Sequence, residues 1–149
     1  MRGIAFLLAV AGTIGLGACT GTGTTTGTSG PPTSSVVTTD SDFDLAVGHS
    51  AHLDGTALTI RFDGVTADSR CPLSVMCIQA GNAIGSLTVT DGAGPKTTVL
   101  LYANPTPQTP TSAKVGGYAI TLVALAPISR RGVTVPPATY VATLRVNKI

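Results

Sequence analysis

The strongest constraint on the fold of this chain is a series of segments in which apolar and polar residues alternate, separated by Gly, Pro, Asn and Asp. The clearest is Leu58–Asp63, in which every second residue, beginning with Leu58, is apolar. A period of two is typical of a β-strand with one buried face. No segment combines strong helix formers with a period near 3.6, and the chain contains no Glu. The pattern predicts an all-β fold.

Six strands are predicted in this way, and they cover Phe43–Val47, Leu58–Asp63, Ala83–Thr90, Lys96–Tyr102, Tyr118–Leu125 and Tyr140–Asn147. The segment 118–125 is apolar on both faces, which predicts a central strand covered on each side. Asp91-Gly92 predicts the turn of a hairpin. Residues 41–149 have the size of one domain, so we expect an antiparallel β-sandwich or small barrel of about six to eight strands.

Prolines cluster in two connections outside the predicted strands, residues 105–110 and 127–137. The second connection carries Arg130 and Arg131. Two adjacent arginines in a loop either contact an anionic lipid or glycan, or are solvated charges that discourage pairing at a sheet edge. The sequence leaves both interpretations open and favours the second.

At the N-terminus, Arg2 is followed by the apolar run 4–11 and then by the tetrad Leu16-Gly17-Ala18-Cys19. The run is shorter than the roughly 20 apolar residues of a transmembrane helix, as in an export signal. The tetrad resembles the lipobox of bacterial lipoprotein signals. The resemblance implies that residues 1–18 are a signal peptide and that diacylglycerol is attached to the sulfur of Cys19. An ordinary secretory signal or an uncleaved anchor is the alternative.

Lipidation at Cys19 implies a location and a mode of attachment. One acyl chain holds a protein at a membrane only marginally, whereas two or three make attachment effectively permanent. The membrane is therefore an expected partner through the lipid on Cys19, and the expected location is the bacterial cell envelope. Thr20 rather than Asp follows the cysteine, which resembles lipoproteins sent to the outer membrane in hosts that have one.

Residues 20–39 consist almost entirely of Thr, Gly, Ser and Pro and carry no charge. Such a segment buries too little surface to offset the entropy of ordering it. We therefore expect residues 19–40 to be the lipidated cysteine and a flexible tether, with an r.m.s. span of roughly 25 Å. A glycosylated stalk is the alternative.

Two further cysteines, Cys71 and Cys77, remain in a chain with an export signal, where oxidation is permitted. We expect them to form a disulfide. The short loop it closes restricts the unfolded state by about 2 to 2.5 kcal/mol in the chain-entropy model. A metal site needs further ligands at matching spacing, and a thiol nucleophile needs an unpaired cysteine beside a base.

The segment around these cysteines reads D-S-R-C-P, then a valine, the second cysteine and Q-A-G. It resembles a family of small exported bacterial domains with the pattern D-S-R-C-P, a valine, a second cysteine and W-A-G, with Gln79 here in place of the tryptophan. The resemblance extends more loosely over 43–146. It supports an all-β fold and the disulfide, and it brings no established activity.

Within this segment, Asp68 and Arg70 are expected to form an ion pair or to cap the loop backbone. Both are scaffolding roles, which we favour. The functional alternative is a preorganised recognition loop for an envelope protein or glycan, with Asp68, Arg70, Gln79 and Asn82 as the candidate contacts.

The only histidines, His49 and His52, are the weak candidates for a metal site, together with Asp44 and Asp54. No G-x-S-x-G motif accompanies them. A small metal-binding or hydrolytic lipoprotein is therefore the alternative function. A net charge of +2 and few aromatic residues do not indicate nucleic-acid binding. The leading hypothesis is a monomeric, non-catalytic envelope domain without a cofactor.

Overall fold

The computed structural model describes residues 34–149, which form a β-sandwich. The strands of this part of the chain are β1 (Ser34–Val37), β2 (Asp42–Ala46), β3 (Ser50–Leu53), β4 (Leu58–Asp68), β5 (Ala83–Asp91), β6 (Thr97–Tyr102), β7 (Ser112–Val115), β8 (Tyr118–Ala126) and β9 (Val141–Lys148). One sheet has the order β1-β3-β4-β5-β6 and the other β2-β9-β8-β7. Neighbouring strands are antiparallel except β1 and β3. The expected antiparallel sandwich is confirmed.

The core lies between the two sheets and is built from the predicted inward faces of the strands. Leu58, Ile60 and Phe62 of β4 are buried at 0%, 1% and 0% exposure. They face Ala142 and Leu144 of the opposite sheet within one hydrophobic cluster. Burying a large apolar side chain contributes about 1.5 to 3 kcal/mol, so this alternation is the main source of stability.

The expectation that the strand at 118–125 is covered on both faces is wrong. Val123 of β8 is 46% exposed. A bulge between Leu122 and Ala124 shifts the alternation by one residue, so Leu122 and Leu125 both reach the core although they are three positions apart. The bulge therefore explains why apolar residues occur at both even and odd positions of the strand.

Three strands of four residues each, β1, β3 and β7, were not among those predicted. β1 lies inside the segment assigned to the tether, and its Val37 is only 9% exposed. β1 pairs with β3 along a sheet edge, a partner that local composition does not reveal. The sandwich therefore includes Ser34–Val37, which the sequence assigns to the tether, and the predicted tether is limited to residues before Ser34.

The two ends of the sandwich differ in their connections. One end, which we term the loop end, carries residues 69–82, 103–111 and 127–140. The other, the turn end, carries the short connections 54–57, 92–96 and 116–117.

β1 begins between the two ends of the sandwich. Ser34 pairs with Ser50, and Ser50 pairs with Arg61 of β4. From that level β1 runs toward the turn end, whereas β4 continues toward the loop end as far as Asp68. Within the described residues, β1 therefore runs away from the loop end.

Candidate functional site

The predicted disulfide between Cys71 and Cys77 is confirmed, with their Cα atoms 6.0 Å apart. The connection that contains it is closed by backbone hydrogen bonds. Cys71 N donates to Ala80 O at 2.8 Å, and Ser69 N donates to Asn82 O at 2.7 Å. The disulfide loop is therefore tied at its base as well as at its cysteines.

Gly81 is required at the base of this loop. Its φ is +64°, and a Cβ atom there would lie 1.7 Å from the carbonyl oxygen of Ser69. Only glycine fits both the positive φ and the close approach of the two backbones. This gives a physical reason for the glycine that follows Gln79-Ala80 in the sequence motif.

Asp68 and Arg70 form an ion pair that also binds Tyr140. Arg70 Nε and Nη2 donate to the two carboxylate oxygens of Asp68 at 2.9 and 2.6 Å, and Tyr140 Oη donates to Asp68 Oδ2 at 2.9 Å. Arg70 also donates to the carbonyl oxygens of Leu125 at 2.6 Å and Pro127 at 2.8 Å. This Asp68–Arg70–Tyr140 cluster joins the disulfide loop to the end of β8 and the start of β9.

The cluster shifts the protonation equilibria of all three side chains. Burial alone would raise the pKa of Asp68, but hydrogen bonds from Arg70 and Tyr140 outweigh it and hold that pKa below its usual value. The hydrogen bond to Asp68 raises the pKa of Arg70 against the effect of burial. Burial, followed by the hydrogen bond to Asp68, raises the pKa of Tyr140. At neutral pH the cluster therefore holds one anion, one cation and one neutral phenol.

Asn82 joins the disulfide loop to the neighbouring connection. Its Nδ2 donates to Asn104 O at 2.6 Å, and its Oδ1 accepts from Asn104 N at 2.9 Å. Asn104 Nδ2 in turn donates to Gly81 O at 2.7 Å. Of the candidate contacts, only Gln79 is exposed to solvent, and the polar groups of Asp68, Arg70 and Asn82 form hydrogen bonds within the protein. Their binding of a ligand stays a prediction.

The loop end carries exposed apolar residues that were not predicted as a site from the sequence. Of the nine large apolar side chains exposed within residues 34–149, five lie in two of its connections. We term this set the apolar tip: Leu73 at 48% exposure, Met76 at 100%, Ile78 at 104%, Ile128 at 54% and Val133 at 58%.

The two connections that carry the apolar tip are joined directly. Leu73 N donates to Ser129 O at 2.9 Å, and Leu73 forms an isolated parallel bridge with Arg130. The second connection also lines an open pocket of about 220 Å³, formed by Pro127, Ile128, Arg130, Val133, Thr134, Val135 and Pro136. The apolar tip therefore lies on two connections that are joined at Leu73, beside a mainly apolar pocket.

The charge at the loop end is positive. The connections 69–82, 103–111 and 127–140 contain no Asp, Glu or Lys. Arg70 is neutralised by Asp68, whereas Arg130 and Arg131 are exposed and form no ion pair within residues 34–149. The apolar tip is thus accompanied by two uncompensated positive charges.

A signal for this surface was present in the sequence. Leu73, Met76, Ile78, Ile128 and Val133 are apolar residues in connections, outside every predicted strand. Only the hydrogen bond between Leu73 and Ser129 shows that the two connections, which are far apart in sequence, lie side by side.

The histidines lie away from the apolar tip. His52 is exposed on β3, where its Nδ1 is 2.9 Å from Thr59 Oγ1. His49 precedes β3, and its carbonyl oxygen accepts from Phe62 N at 3.1 Å. Within the part of the chain that the structure describes, no group of three or more His, Cys, Asp or Glu side chains is placed to hold a metal ion.

The predicted lipidation site, Cys19, and the signal peptide 1–18 lie outside the described residues. Between residues 34 and 149, no helix has the length and apolar character needed to cross a membrane. Comparison of the chain with protein-family models, curated proteins and solved structures found no match.

Proposed function

We propose that this protein is a lipid-anchored, non-catalytic domain of the bacterial cell envelope that acts by interaction or structural support through its apolar tip. The observation that carries the proposal is the concentration of exposed apolar side chains at one end of the sandwich, with Met76 and Ile78 fully exposed. Contiguous exposed apolar patches mark interaction sites on soluble domains.

The scaffold under the tip supports a binding role. The disulfide, the base of the loop and the Asp68–Arg70–Tyr140 cluster fix the backbone that presents Met76. A surface that is already ordered loses less conformational entropy when it binds. The tip therefore has the properties of a preorganised contact surface.

The chemistry of the polar groups near the tip supports a non-catalytic role. A general acid or base works best with a pKa near the operating pH. The pKa of Asp68 is lowered and that of Tyr140 is raised, so both move away from neutrality. The two side chains are also hydrogen-bonded to each other, and Asp68 is ion-paired with Arg70. Their role in the proposal is to hold the loops together.

The anchor is tested by fractionation of cells that produce the full chain. We expect the native chain to sediment with membranes and the Cys19→Ser variant to be recovered in the soluble fraction, since the acyl chains supply the attachment. The double variant Cys71→Ser/Cys77→Ser is the matched control, because it removes two cysteines but keeps Cys19. Equal membrane association of the native and Cys19→Ser chains would contradict the proposal.

A further inference from the structure

We propose that the apolar tip docks onto the anionic lipid surface of the same bilayer that holds Cys19. This inference rests on the proposed lipid anchor and adds the identity of the surface that the tip contacts. Its physical basis is the composition of the tip, the length of the predicted tether, and the distribution of charge.

The composition of the tip suits a membrane interface. Met76 and Ile78 project fully exposed from a loop that the disulfide holds. Arg130 and Arg131 lie on the connection that pairs with that loop through Leu73. Apolar side chains that enter the boundary of the acyl chains, combined with cations that meet anionic headgroups, give reversible interfacial binding.

The length of the predicted tether is compatible with contact between the tip and the bilayer. The distance to be covered runs from Ser34, at the level of Arg61, to the loop end. From the level of Arg61, β4 extends seven residues to Asp68, which at a rise of about 3.3 Å per residue is roughly 23 Å. A coil of the length of residues 20–33 spans about 20 Å r.m.s. and at most about 46 to 50 Å when fully extended. The predicted tether therefore lets the tip reach the bilayer when it is partly extended.

The charge distribution favours a lipid surface over a protein surface of mixed charge. Asp68, the carboxylate at the base of the loop end, is neutralised by Arg70. The other carboxylates, Asp40, Asp42, Asp44, Asp54, Asp63 and Asp91, lie outside the three connections of the loop end. An anionic bilayer therefore meets the positive tip without repulsion from a nearby carboxylate.

The absence of tryptophan from the chain provides a direct test. Met76→Trp places a single tryptophan on the tip, and Ala93→Trp places one in an exposed connection at the turn end. The full lipidated variants are reconstituted into vesicles of phosphatidylglycerol and phosphatidylcholine with brominated acyl chains, which quench tryptophan fluorescence on contact. We expect quenching at least about threefold stronger for Met76→Trp than for Ala93→Trp. Ile78→Trp serves as a second tip variant with the same expected result.

The charge contribution is tested in the Met76→Trp background. Replacing Arg130 and Arg131 with Gln should lower the ratio of docked to undocked tip at least about fivefold. Vesicles of phosphatidylcholine alone should give a similar loss with the arginines intact. Unchanged quenching in both cases would show that the tip does not recognise anionic lipid.

Vesicle flotation separates failure of the anchor from failure of the docking. A chain that does not float with the vesicles contradicts the proposed anchor. A chain that floats, but whose tip tryptophans are quenched no more than Ala93→Trp, overturns the docking proposal. Crosslinking of the tip to an envelope protein, with no lipid contact, would also overturn it.

Discussion

Two aspartate–arginine pairs in this sandwich have the same spacing in sequence and different surroundings. Arg70 and Asp68 are 11% and 12% exposed, and Arg70 also donates to two backbone carbonyls of another connection. Arg61 and Asp63 are 52% and 25% exposed. Exposed pairs contribute about 0 to 1 kcal/mol, whereas removing one partner of a buried pair leaves an uncompensated charge.

We expect Arg70→Ala to lower the free energy of unfolding by about 2 to 4 kcal/mol, because it leaves Asp68 and two carbonyl oxygens without their donor. Arg61→Ala, the matched control, should cost less than about 1 kcal/mol. Urea denaturation of the two variants provides the comparison. Equal losses would show that the Asp68–Arg70–Tyr140 cluster does not hold the loop end together.

The lowered pKa of Asp68 predicts a dependence of stability on pH. A carboxyl whose pKa is lower in the folded protein stabilises it above the usual value of 3.8, and this contribution is lost as the pH falls through the folded value. Asp68→Asn should therefore flatten the acid side of the plot of unfolding free energy against pH below about pH 4.

Asp42→Asn is the control for this titration. A hydrogen bond from Arg145 also lowers the pKa of Asp42, but that pair lies on an exposed face. Solvent screens the exposed pair, so Asp42→Asn should change the acid slope less than Asp68→Asn. Parallel acid slopes for the native chain and Asp68→Asn, measured by chemical denaturation at several pH values, would rule out the assigned role of Asp68.

At the scale of strands, local alternation of apolar and polar residues is sufficient to predict a strand and its inward face wherever the strand has one buried face. The inward residues of β4, such as Ile60 and Phe62, are identified correctly from sequence. Alternation did not reveal the bulge in β8. After the bulge, the inward-facing residues change from even to odd positions, so a strict period of two no longer describes the strand. It also did not reveal β1, whose partner β3 is brought beside it only by the complete fold.

The candidate site shows the same division between local and non-local information. Cys71 and Cys77 could be paired from sequence because they are the two cysteines left once Cys19 is assigned to the predicted lipobox. The contact of Asp68 with Tyr140 spans 72 residues, and no local pattern encodes it. The apolar tip depends in the same way on contact between two distant connections.

The pairing of β1 with the sandwich can be tested by substitutions in that strand. Val37 is 9% exposed and packs in the core, whereas its neighbour Val36 is 73% exposed. Val37→Ala should lower the free energy of unfolding by about 1.5 kcal/mol, and Val36→Ala by less than about 0.5 kcal/mol. The midpoints of urea denaturation measure both. Equal effects would place β1 outside the folded sandwich and return residues 34–40 to the tether.

At the scale of the whole molecule, the two ends of the sandwich have different properties. The turn end has short connections, whereas the loop end combines a disulfide, a partly buried ion pair, a reciprocal Asn82–Asn104 contact and the apolar tip. The structural reinforcement and the exposed apolar surface therefore share one end of the molecule, which supports the loop end as its contact surface.

This central claim is tested most directly in living cells with a diazirine amino acid that replaces either Met76 on the tip or Ala93 at the turn end. Both positions are exposed, so differences in labelling report what each end contacts. We expect light-dependent adducts from position 76, with phospholipid as the main species, and few from position 93. Equal labelling from both positions, or labelling from position 93 alone, would contradict the assignment of the loop end as the contact surface.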